Sequence, residues 1–162
     1  MDFSGFFDYP GDSDRPMQTS LVFLPEHGEN TWRVLLSFTE RRPFRSGDEV
    51  LRAGDTGRAI YIVGRGSLEV VVPDKKKRGK YMHVAELEEG SVFGEQAFFD
   101  AQARSATVRA LSDGEMHVLS LDSFEVLGAH HPELAREILF DLGRILSLRL
   151  RHTTAFAMDV LR

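Results

Sequence analysis

Residues 93–110 read FGEQAFFDAQARSATVRA, and they place a carboxylate at Glu95 and a guanidinium at Arg104 with little side-chain bulk around either. Gly94 has no Cβ and lets another backbone or a ligand approach closely. The run EQAFF after it has the character of a single helical turn. Its first amides, at Glu95, Gln96 and Ala97, find no acceptor inside a helix and attract an anion. Arg104, nine residues beyond Glu95, offers a planar fork of donors that matches two oxygens of a phosphate. Glu95 accepts hydrogen bonds from hydroxyls such as those of a ribose. An anion and a hydroxyl recognised together point to a nucleotide. The same spacing also lets Glu95 and Arg104 pair with one another as a structural salt bridge, and spacing alone does not choose between the two.

The elements that must hold this segment are short strands. Between residues 43 and 120, glycines at 47, 54, 57, 64, 66, 79, 90 and 94 separate short apolar runs, the pattern of an all-β sandwich, jelly roll or barrel. AIYIVGRGSLEVVV alternates faces and turns tightly at Gly64-Arg65-Gly66, a hairpin signal. YMHVAEL and ATVRALSDGEMHVLSL supply further strands, the latter pair turning at Ser112-Asp113-Gly114. Ahead of them, ENTWRVLLSFT spaces Trp32, Leu35, Leu36 and Thr39 as an amphipathic helix does. From Asp122 onward the period becomes helical, with Asp122 as N-cap and Pro132 in the first turn of a second, longer helix. The expected fold is mainly β with helices, an α+β arrangement. A β-roll or jelly-roll barrel over about residues 43–120 is flanked by an N-terminal helix and by C-terminal helices over about residues 122–162. These make one domain from residue 21 to 162, and residues 1–20, rich in Asp, Gly, Ser and Pro, are expected to be a flexible tail.

FGEQAFFDAQARSATVRA resembles the phosphate-binding cassette of cyclic nucleotide-binding domains, the module of protein kinase A regulatory subunits, nucleotide-gated channels and catabolite activator proteins. FRSGDEVLRAGDTGRAIYIVGRGSLEVVV is similar to that family's first strands, and VAELEEGSVFGE to its approach to the cassette, so the likeness runs over about residues 30–152. The resemblance implies that cAMP or cGMP is the ligand. It implies Glu95 on the ribose 2′-hydroxyl, Arg104 on the cyclic phosphate, and the backbone from Gly94 through Gln96 to Ala97 on the remaining phosphate oxygens. Ser105 would add a hydroxyl near the phosphate, and Val84 would line the base pocket. A serine after the arginine, as in the cAMP-binding activators, favours cAMP over cGMP. Two departures stand out. Ala103 occupies a place where the family often has proline, which leaves the loop more conformational freedom. After RLRH only ten residues follow, so no helix-turn-helix segment is expected, and output is expected to run through a protein partner or through self-association.

Composition bounds the alternatives. A formal net charge of −5 over 162 residues argues against direct nucleic-acid binding. The lack of cysteine excludes disulfides, thiol catalysis and cysteine-ligated metal, and fits a reducing, cytoplasmic setting. The N-terminus lacks the pattern of a signal peptide, and no membrane span is expected. No nucleophilic triad, carboxylate pair or metal-water constellation emerges, so the chain is not expected to be an enzyme and no cofactor or metal is expected. His130 and His131 are adjacent and point apart, unlike ligands of one metal. DKKKRGK, residues 74–80, reads as a solvated hairpin tip. Leu139, Leu142, Leu146, Arg149, Thr153, Phe156 and Val160 recur at three- and four-residue intervals, the seam of a homodimeric coiled coil; the same stripe could instead pack on its own β-roll. Two functions compete: a stand-alone cyclic nucleotide receptor that moves its C-terminal helices, and a ligand-independent scaffold on the same fold.

Overall fold

A computed structural model describes residues 21–161, so the tail expected over residues 1–20 lies outside the described residues. In chain order the elements are α1 (Glu29–Ser37), β1 (Glu40–Phe44), β2 (Glu49–Leu51), β3 (Ala59–Arg65), β4 (Leu68–Pro73), β5 (Tyr81–Leu87), β6 (Val92–Phe93), α2 (Glu95–Asp100), β7 (Thr107–Ala110), β8 (Gly114–Ser120), α3 (Leu121–His130) and α4 (Pro132–Val160). The strands form two four-stranded antiparallel sheets, ordered β1-β8-β3-β6 and β2-β7-β4-β5. This is the jelly roll flanked by helices that the sequence pattern suggests.

Both turns read as hairpins from the sequence are corners instead. β3 and β4 lie in different sheets, and so do β7 and β8. Gly66, at φ 89°, makes the first corner, and a Cβ there would stand 2.7 Å from the carbonyl oxygen of Asp113 in the second. The two corners therefore pack against each other. A tight turn specifies that the chain reverses, whereas the pairing partner is set by which faces must be buried. β3 is buried on both faces: Ala59, Tyr61 and Val63 meet the opposite sheet, while Ile60 and Ile62 face the helices. β4 and β5 do form a hairpin, paired from Leu68↔Leu87 to Pro73↔Tyr81, and residues 74–80 are its tip.

The helical layer closes over Ile60, Ile62, Val92 and Leu119. α1 contributes Leu35, fully buried, with Trp32 half-buried against the same cluster. α3 is capped by Ser120, whose Oγ accepts from the Ser123 amide at 3.1 Å, so the cap lies two residues before Asp122. α4 opens with Pro132 and is 29 residues long, about 43 Å at 1.5 Å per residue. Its stripe Leu134, Ala135, Ile138, Leu142 and Ile145 seals the core. Ahead of α1, Phe23 and Leu24 are buried in that core, and a strap of backbone holds them there. The Phe23 amide donates to Gly90 O at 3.0 Å, the Leu24 amide to Asp141 at 2.7 Å, and Arg144 Nη2 to Val22 O at 2.9 Å. No helix of the described residues is long and apolar enough to cross a membrane.

Candidate functional site

Beneath the β4–β5 hairpin lies a cavity of about 560 Å³ whose walls are β4, β5, the segment from Gly94 to Ala106, and α4. The expected residues Val84, Gly94, Glu95, Gln96, Ala97, Arg104 and Ser105 all line it. Val84 stands on the apolar wall with Val70, Val72 and Leu87. α2 opens at Gly94, which adopts φ 82°. A Cβ at that position would lie 2.9 Å from each of Ala59 O, Arg104 Nη1 and a Tyr61 ring carbon. Glycine is thus required twice, for its left-handed backbone and for the space. The far end of α2 is held by Arg58, whose Nε and Nη2 donate to Phe98 O at 3.0 and 2.8 Å. Phe98 packs edge-on against Phe124 of α3, with ring centroids 5.4 Å apart.

Arg104 is fixed at both backbone ends by the loop before β3: its amide donates to Asp55 O and its carbonyl accepts from the Gly54 amide, each at 2.8 Å. The residue is only 7% exposed. It donates to Gly94 O at 2.9 Å and more weakly to Ala59 O at 3.5 Å, and it lies 5.4 Å from the centroid of the Tyr61 ring. Among the described residues it forms no ion pair. A buried guanidinium held by carbonyl dipoles and a ring face is costly, and a charge without an ion-pair partner makes the cavity receptive to an anion.

The pairing of Glu95 with Arg104 that spacing allowed does not occur. Glu95, 4% exposed, pairs instead with Arg149 of α4, whose Nη1 donates to its carboxylate. Arg149 Nη2 donates to Val92 O at 2.7 Å. The sequence stripe that put Arg149 in a dimer seam is therefore divided: Leu142 seals the protein's own core, Arg149 turns into the cavity, and Leu139 stays exposed. Arg149 is the site residue that sequence reasoning missed. Helical spacing shows which residues share a face but does not reveal a carboxylate 54 positions earlier that the face meets. Thr153, one turn on, also lines the cavity, although its hydroxyl donates back to Arg149 O at 3.0 Å. Ser105 Oγ donates to Gln96 Oε1 at 2.9 Å, so this hydroxyl is engaged within the loop.

The chain can thus offer a buried cation, first-turn amides of α2, a carboxylate and an apolar wall to one ligand. Residues 41–131 match the family described as Cyclic nucleotide-binding domain. The chain is 32% identical to the cAMP-activated global transcriptional regulator Vfr of Pseudomonas aeruginosa over 130 residues, 78% of this chain and 58% of that protein. It is 37% identical to a cyclic nucleotide-gated channel of Caenorhabditis elegans over 107 residues, 62% of this chain and 14% of the channel. The structure is similar to that of the Thermus thermophilus catabolite activator protein, with a TM-score of 0.69 and 28% identity over 83% of this chain and 60% of the other. The chain spans less than two thirds of each of these relatives. From its cassette, its jelly roll and these likenesses, the chain belongs to the cyclic nucleotide-binding domain family.

Proposed function

We propose that this chain is a regulatory receptor for a cyclic nucleotide, cAMP in preference to cGMP, and not an enzyme. The cyclic phosphate rests on Arg104 and the amides from Gly94 to Ala97, the ribose 2′-hydroxyl meets Glu95, and the base lies against Val72 and Val84. The observation that carries this reading is Arg104, buried beside the cavity and in no ion pair among the described residues. The preference for cAMP draws support from Ser105, which follows the arginine as a serine does in the cAMP-binding activators that the cassette resembles, and from the likeness to a cAMP-activated regulator.

Arg149 supplies the route from site to signal. It holds Oε1 of the carboxylate that the ribose hydroxyl would use, so an arriving nucleotide and α4 come to share Glu95 as a partner. Occupancy then changes where α4 rests, and the ligand shifts the equilibrium by its preference for one of the two positions. On α4, Leu139, Gly143, Leu146, Leu150, Thr153 and Ala157 follow one another at alternating intervals of four and three. Leu139 and Leu150 are exposed at 40% and 67%. That stripe has the spacing of a two-helix seam, and it supports a homodimer whose register follows α4. The acidic net charge favours a protein over a nucleic acid as the downstream partner, and the absence of cysteine favours a cytoplasmic setting.

Calorimetric titration of the full chain with cAMP and with cGMP tests the reading. Saturable binding of both, tighter for cAMP, is expected. A tighter cGMP isotherm overturns the base preference. Absence of binding by either at millimolar concentration overturns the receptor and leaves the ligand-independent scaffold.

A further inference from the structure

We propose that the tip of the β4–β5 hairpin is a docking surface for an anionic phospholipid bilayer. Residues 75–80 carry Lys75, Lys76, Lys77, Arg78 and Lys80, in a chain whose formal net charge is −5. All five are exposed, and none enters an ion pair among the described residues.

The fold does not use their charge. The tip closes on its own backbone: the Asp74 amide donates to Lys80 O at 2.8 Å, the Lys80 amide to Lys77 O at 3.0 Å, and the Lys77 amide to Asp74 O at 3.3 Å. The Asp74 carboxylate accepts from the Lys76 amide at 2.8 Å, and Gly79 supplies the left-handed residue at φ 78°. Five like charges in one loop repel each other, so uncharged polar residues in their place would fold the tip at least as well. The charge is accounted for by something of opposite sign outside the chain.

Shape and residue type select what that is. The nucleotide cavity reaches Val72 and Val84 and stops short of the tip, which projects from β5, an edge strand of its sheet. Such a projection reads charge density and not the outline of a discrete ligand. Four of the five cations are lysines, point charges without the bidentate fork by which arginine selects single carboxylates. Beside them Tyr81 and Met82 are exposed at 46% and 39%, and the Arg109 guanidinium lies 5.1 Å from the centroid of the Tyr81 ring. An exposed tyrosine beside cations suits the depth of lipid headgroups. The acidic remainder of the chain weakens this attraction little, because charges farther than a Debye length of about 8–10 Å from the contact are screened.

Cosedimentation of the full chain with vesicles decides the matter. Vesicles of phosphatidylcholine alone are compared with vesicles containing about 30% phosphatidylserine at about 0.1 M salt. Binding only to the anionic vesicles is expected, weakening as salt is raised. At roughly fivefold per cation, Lys76→Gln, Lys77→Gln and Arg78→Gln together should lower partitioning on the order of 100-fold. The thermal melting of that variant should match or exceed wild type, which separates lost docking from lost fold. Equal binding to both vesicle types, or unchanged partitioning of the triple variant, overturns the proposal. So does tighter binding to soluble polyglutamate or to duplex DNA at the same salt, which would reassign the tip to a protein or nucleic-acid partner.

Discussion

In the unliganded protein, Arg104→Leu removes one well-formed charged hydrogen bond, to Gly94 O at 2.9 Å, and one marginal bond, to Ala59 O at 3.5 Å. A charged hydrogen bond contributes about 1.5–3 kcal/mol, and the contact with the Tyr61 ring adds at most about 2 kcal/mol. Against these stands the cost of burying a lone guanidinium, several kcal/mol, which leucine does not incur. The terms nearly cancel, leaving roughly 1 kcal/mol of either sign; in a chain of this size that moves melting by about 2–4 °C. With ligand the balance is different. A phosphate held in a shielded pocket loses its counter-charge, at about 2–5 kcal/mol, so affinity should fall between tens and thousands of times. Wild type and variant are melted with and without cAMP, and the isotherms are measured by calorimetry. Nucleotide at a hundredfold excess over its dissociation constant should stabilise wild type by about 2.7 kcal/mol and the variant far less. If the unliganded variant instead melts more than about 10 °C below wild type, and wild type is not stabilised by nucleotide, Arg104 is a structural cation and the reasoning fails.

Arg149→Met leaves Glu95 buried and alone; breaking such a pair costs about 3–5 kcal/mol, so the unliganded protein should melt roughly 6–20 °C lower, and unchanged melting would remove Arg149 from the account. Glu95→Ala should weaken cAMP less than Arg104→Leu does, and should not weaken a 2′-deoxy nucleotide further; a full additional loss with the deoxy ligand places the hydroxyl elsewhere. Leu150→Glu should convert a dimer to a monomer in light scattering at micromolar concentration, and a wild-type monomer would refute the seam. Burial of Glu69 pushes its carboxyl up, yet hydrogen bonds from His83 and Arg109, with their charges, bring it below its ordinary 4.5. Its contribution is therefore complete above pH 4.5 and lost as pH falls through the lowered value. Melting of Glu69→Gln should fall less steeply than wild type below that point; parallel curves would count against the pairing.

The elements were legible because each rests on a local signal. YMHVAEL became β5 residue for residue, and Pro132 opened the long helix as its fixed φ suggested. Sheet membership was not legible. The turns at Gly66 and at Ser112-Asp113-Gly114 look like hairpins because a corner and a hairpin ask the same of two or three residues. What distinguishes them is that β3 has apolar side chains on both faces, and that both faces find cover only when β4 crosses to the other sheet. The site divided in the same way. Glu95 and Arg104 share one short segment, and their chemistry could be read there. Arg149 is joined to Glu95 only by the path of α4 over the roll, and in the sequence it is one more position in a leucine-rich helix.

The strap ahead of α1 gives the long helix a passenger. Leu24 hangs from Asp141 and Val22 from Arg144, two residues of α4 that Arg144 Nε and Asp141 Oδ1 tie together at 2.7 Å. His27 adds a contact to Glu137 one turn earlier, also at 2.7 Å. Any tilt of α4 must either drag residues 22–27 along, against the bond of the Phe23 amide to Gly90 O and the Val22–Ser91 bridge, or break the three contacts to α4. The second course is the more expensive, since each of those three contacts involves a charged side chain of α4 and contributes about 1.5–3 kcal/mol. A lever fixed this way has two moving ends, so a probe attached before Leu21 would register the displacement of a helix that lies more than a hundred residues downstream.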